Sequence, residues 1–114
     1  MKPPVTVALL VAVPCAIASA LAAPSDYPTA ALAEYVVLCM TGKEPTREIL
    51  ERCACSVDVV ASIMPYDKYV QAETALRMSQ VPGENTAMFR DVPWIQDVVD
   101  ELEGAQSQAR TRCF

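Results

Sequence analysis

The chain has no histidine among its 114 residues, only three glycines, one tryptophan and two phenylalanines. Without histidine there can be no Ser-His-Asp triad, no histidine-ligated zinc or copper, and no haem held through histidine. Cys-x-x-Cys-His haem attachment is missing for the same reason. Three scattered glycines do not make a phosphate-cradling loop, and no Ca²⁺-binding loop pattern occurs. Basic residues are also few, nine against fourteen acidic ones. An acidic chain without a basic patch suits neither nucleic acid nor an anionic membrane, although it can pair with a cationic protein. No later apolar segment reaches the ~20 residues that a membrane-spanning helix requires.

The N-terminus carries a different signal. Lys2 precedes an apolar run at residues 5–13, and Ala20-Leu21-Ala22 has the small-x-small form of a cleavage site. These features predict a secretory signal peptide over 1–22, followed by a flexible Pro-containing lead at 23–28 and one helical domain over 29–114. Pro14 stands before Cys15 where lipidation usually requires a small residue, so simple cleavage is the expectation. Loss of Lys2 leaves eight basic residues and a charge of −6 on a periplasmic or secreted chain.

Four cysteines then remain: Cys39, Cys53, Cys55 and Cys113. An even number in a short exported chain reads as two disulfides, with three possible pairings. A Cys53–Cys55 bond would close a very small, strained ring. The other two pairings join Cys39 to one of that pair and Cys113 to the other. Cys39–Cys53 with Cys55–Cys113 is preferred, because Cys53 lies nearer the turn after Cys39.

Helical spacing runs through most of the domain. Leu32, Tyr35, Val36 and Cys39 form one stripe, stopped by Gly42, with Asp26 or Thr29 as expected caps. Thr46 is placed to cap a central helix reaching Met64. On its wheel Ile49, Cys53, Val57, Val60 and Met64 make one apolar face; Cys55, Val59 and Ile63 make another. Residues two apart on a helix point about 200° from each other, so the two thiols leave on nearly opposite sides. Pro65 ends this helix, and Asp67 is expected to cap a third from Lys68 to about Met78 with Tyr69, Ala72 and Leu76 inward. Turn chemistry follows around Pro82 and Gly83. Asp91 is then expected to cap a fourth helix through Arg110, with Pro93 in its first turn and Ile95, Val98, Val99, Leu102, Ala105 and Ala109 along one side. No strand pattern is present. The fold expected is all-α, a small four-helix bundle stapled by two disulfides.

Three functional classes compete. Cys53 and Cys55, beside Arg52, could be a redox dithiol, or could carry Cu(I) with Met40, Met64, Met78 and Met88 as thioether donors. Their apolar surroundings and two waiting partner cysteines favour structural disulfides instead. Asp97, Asp100, Glu101 and Glu103 form an acidic run that reads as a solvated face or a contact for a basic partner. Phe89, Arg90 and Trp94 add the aromatic and guanidinium groups common where partners bind. A partner-binding surface of Phe89, Arg90, Trp94, Asp97, Asp100 and Glu101 is therefore expected, with no catalytic residue, cofactor or metal.

Cys-Ala-Cys-Ser-Val-Asp-Val-Val-Ala-Ser-Ile at 53–63, Pro-Tyr-Asp-Lys-Tyr at 65–69 and the closing Arg-Cys-Phe together resemble a group of small four-cysteine helical periplasmic proteins. That group is associated with bacterial quinoprotein alcohol-dehydrogenase systems, and the resemblance spans most of the domain. It implies location and helicity but assigns no activity or site residue. In size and helicity the chain also resembles HdeA-type periplasmic acid chaperones, which carry one disulfide rather than two. The expected function is a non-enzymatic accessory or binding protein acting on another periplasmic protein. The alternatives are thiol redox or Cu(I) carriage through Cys53 and Cys55, and acid-stress chaperoning.

Overall fold

Thr46 and Pro65 bracket the helix on which the described structure turns. The computed structural model describes residues 1–4, 25–83 and 90–114. The apolar run at 5–13, Cys15, the expected cleavage site, Met88 and Phe89 lie outside them. Among the described residues there are four helices and no strand: α1 (Thr29–Met40), α2 (Arg47–Ile63), α3 (Tyr66–Ser79) and α4 (Pro93–Cys113). None of these helices is long and apolar enough to cross a membrane.

α2 packs against both α1 and α4, and α3 packs against α4. The two apolar faces of α2 explain its position. Cys53, Val57, Val60 and Met64 are buried, while Arg47, Glu51, Asp58 and Ser62 stay in solvent. Thr46 caps the helix as expected, its Oγ1 accepting from the Ile49 amide at 3.2 Å. On α4 the inward line is Ile95, Val98, Leu102, Ala105 and Ala109, every one buried. Ala105 and Ala109 are the small members of this line and are almost wholly buried. Gly42 takes φ +76°, the left-handed turn that releases the chain from α1.

Three expected caps are not made. Neither Asp26 nor Thr29 caps α1, which starts after Pro28 without a side-chain cap. Asp67 does not cap α3, and Asp91 does not cap α4, which begins after Val92 with Pro93 in its first turn. Asp26 works at a distance instead. Its Oδ2 accepts from the amide of Tyr66 at 2.9 Å, so an orphan donor at the start of α3 is satisfied from forty residues away. Proline at the positions before α1 and α3 already fixes the entry of each helix, which lessens the need for a local cap.

The lead expected to be mobile up to Pro28 is anchored at its described end. Tyr27 is 5% exposed, and its hydroxyl donates to the Met64 carbonyl at 2.9 Å. Its ring lies 5.1 Å from Tyr66 and 5.2 Å from Tyr69. It joins a core of Val60, Met64, Tyr69, Ala72, Val98, Leu102, Ala105 and Ala109.

Candidate functional site

The four cysteines among the described residues are paired as Cys39–Cys53 and Cys55–Cys113, each with its α-carbons 5.8 Å apart. α2 carries both inner sulfurs. Cys53 ties it to the end of α1, and Cys55 ties it to the end of α4. In this state no thiolate is present at 53 or 55 to attack a disulfide or to bind a soft metal. Among the described residues no three Cys, Asp or Glu side chains converge as metal ligands.

The expected contact residues divide into groups. Trp94 sits in the first turn of α4 and is 55% exposed, although a lone tryptophan in a small domain usually joins the core. Arg90 bridges backward, donating from Nη2 to the Ser79 carbonyl at 3.0 Å and so closing the end of α3. The Arg90 carbonyl accepts from Gln96 Nε2 at 2.7 Å. Between the end of α3 and the start of α4 runs a groove of about 470 Å³, floored by Ala75, Leu76, Ile95 and Val99 and flanked by Arg90 and Asp100. Arg90 and Asp100 therefore meet at one place, an apolar groove with a cation and an anion on its rim. Asp97 is exposed on the same helix.

Glu101 is engaged elsewhere. It pairs with Lys68 of α3 at 2.9 Å, and that hydrogen bond is the main cause of the raised Lys68 pKa. Arg77 likewise joins Glu34 of α1 at 3.0 Å and Glu73 at 3.2 Å, with its pKa raised chiefly by the bond to Glu34. Exposed ion pairs of this kind contribute little to stability.

A second groove escaped the sequence reading. It lies at the other end of α4, where the ends of α1 and α4 converge on the middle of α2, and it measures about 510 Å³. Leu38, Cys39 and Phe114 provide its carbon surface, and Lys43, Gln106 and Arg110 its polar edge. On its floor the hydroxyls of Tyr35 and Ser56 are 3.1 Å apart. Ser56 is buried to 5% exposure in the interior of α2. Its place on the wheel, between the two apolar faces, was the one available hint.

No protein-family model, characterised protein or solved structure matches this chain.

Proposed function

We propose that this chain is an exported, non-enzymatic helical protein, its helices gathered as a bundle, that binds or assists another exported protein. The observation that carries this reading is Trp94, a large aromatic left in solvent in the first turn of α4, the helix whose Ile95 and Val99 floor an apolar groove with Arg90 and Asp100 on its rim. Exposed aromatics next to guanidinium groups are typical binding anchors. The acidic residues Asp97 and Asp100 suit a partner with a basic rim around an apolar contact. Export is supported by two disulfides, by the signal-like N-terminus and by the resemblance to small four-cysteine periplasmic proteins. Phe89 belongs to the same proposed surface by sequence alone.

The test is recovery of partners from a periplasmic extract with wild-type protein and with Trp94→Ala, at low and high salt. A partner held by wild type, lost with the variant and weakened by salt supports the reading; equal recovery of every partner removes this surface. Counting free thiols in the native protein addresses the redox alternative. None fits a scaffold, whereas two accessible thiols would favour dithiol or Cu(I) chemistry. Suppression of client aggregation at low pH would instead point to an acid-stress chaperone.

A further inference from the structure

The groove at the C-terminal end of α4 differs in charge from the rest of the molecule. The chain carries −5 overall, and most of its cations have a defined partner. Arg47, Arg52, Lys68 and Arg77 each hold a carboxylate. Arg90 is bound to the Ser79 carbonyl and Arg112 to the Gln108 amide oxygen. Among the described residues, Lys2, Arg90 and Arg112 have no carboxylate within ion-pair distance, and neither do Lys43 and Arg110, the latter with no side-chain hydrogen bond at all. Lys43 and Arg110 both lie on the rim of this one groove.

Helix ends account for part of this. Lys43 Nζ donates to the Cys39 carbonyl at the end of α1, and Arg110 stands in the last turn of α4, where the dipole favours a cation. That explains why a cation is present at each helix end. It does not explain the carbon surface between them. Leu38 and Phe114 are each more than half exposed there. The Phe114 ring is held in place as a wall, with Lys43 Nζ 6.0 Å and the Arg52 guanidinium carbon 5.8 Å from its centroid. A trough of about 510 Å³ is within the range of small-molecule sites, and most of its lining is carbon.

We propose that this groove binds a free, monomeric fatty-acid anion of medium chain length. The carboxylate is held by Arg110 and Lys43, the tail lies on Leu38, the Cys39–Cys53 bridge and the Phe114 ring, and Gln106 supplies a neutral donor at the edge. A single negative head satisfies two cations that lack a carboxylate, and an apolar tail covers the surface between them. The site is separate from the Trp94 surface. Trp94 and Arg110 are sixteen positions apart on α4, about 24 Å along the helix, so either proposal can fail without the other.

The test is calorimetric titration of the oxidised protein with dodecanoate below its micellar concentration, beside dodecyltrimethylammonium, which has the same tail and the opposite charge. The expected result is saturable binding of one dodecanoate per chain, at least about tenfold tighter than the cation. The Lys43→Gln/Arg110→Gln double variant should lose about tenfold or more in dodecanoate affinity, since two charge-assisted contacts are removed. Leu38→Glu should abolish binding. Circular dichroism and thermal midpoint report whether each variant still folds, and the comparison of the two head groups on wild type stands without any variant. The proposal is overturned by absence of saturable binding, by equal affinity for the two amphiphiles, or by a folded double variant that binds like wild type. Binding to anionic vesicles but not to monomeric dodecanoate overturns it in favour of a membrane surface. A dimer in sedimentation that dodecanoate does not dissociate overturns it in favour of a second copy of this chain.

Discussion

Tyr27 shows how much one side chain outside the helices can hold. Its hydroxyl reaches the Met64 carbonyl, its ring meets Tyr66 and Tyr69, and its neighbour Asp26 caps α3. Burial is the main reason its phenol loses a proton less readily than usual, with the charge of Asp26 adding to it. Tyr69 is shifted the same way, again by burial first and then by Glu73. The sign follows from proton binding. Above the ordinary phenol value near 10, the unfolded chain has released protons that the folded chain retains. The stabilising effect is complete below that pH and is lost as pH climbs toward the folded value. In an alkaline absorbance titration, Tyr27 and Tyr69 should therefore ionise only as the helical signal collapses. Ionisation of Tyr27 and Tyr69 near 10 with the helices intact would contradict this. Tyr27→Phe keeps the ring but leaves the Met64 carbonyl without its donor, a loss of about 1 kcal/mol by urea unfolding at neutral pH. The same variant should make the alkaline loss of stability less steep.

The helices themselves follow local rules where the needed information is local. Thr46 three residues before Ile49, Gly42 after α1 and the two-faced wheel of α2 are short-range patterns, and each is realised in the structure. The disulfide partners were partly within reach: a helix sends Cys53 and Cys55 to different neighbours, and the choice of Cys53 for Cys39 rested only on its being nearer the turn after Cys39. The capping of α3 was not within reach. Asp67 is the better cap by sequence distance, yet Asp26 takes a donor there because Tyr27, buried beside Met64, brings its neighbour to that helix end. The α4-start surface was legible as far as residue types go, through Trp94 and Arg90. The groove at the other end of α4 was invisible, since it exists only where the ends of α1 and α4 meet α2. One local rule is broken within α4. Gly104 lies in the helix interior, exposed, and a β-carbon added there would meet nothing within 4 Å. Glycine in a helix interior costs about 1 kcal/mol relative to alanine. Gly104→Ala should therefore stabilise the protein by up to that amount and raise its thermal midpoint. Gly42→Ala should do the reverse, because at φ +76° a β-carbon is strained even in open space. If both substitutions moved the midpoint in the same direction, this account of the two glycines would fail.

At the scale of the whole molecule, the two bridges do unequal work. Cys39–Cys53 spans fourteen residues and joins two consecutive helices, whereas Cys55–Cys113 spans fifty-eight and fastens the end of α4 to the middle of α2. In the chain-entropy view, a loop of the first size restricts the unfolded chain by about 3 kcal/mol and one of the second size by about 4 kcal/mol. The native contacts sharpen that difference. α1 has no fully buried residue of its own, so opening its bridge frees an element that contributes little to the core. α4 supplies Val98, Leu102, Ala105 and Ala109, and α3 packs chiefly against α4. Loosening the far end of α4 therefore weakens the hold on α3 as well. Replacing Cys55 and Cys113 together by serine should cost more in urea unfolding than replacing Cys39 and Cys53, and should broaden the transition by uncoupling α3 and α4 from α2. The Cys39/Cys53 double variant should keep a sharp transition and lose hydrogen-exchange protection mainly in α1. Equal losses from the two variants, or loss of protection confined to α1 in both, would show that α2 is not the element through which the molecule is held together.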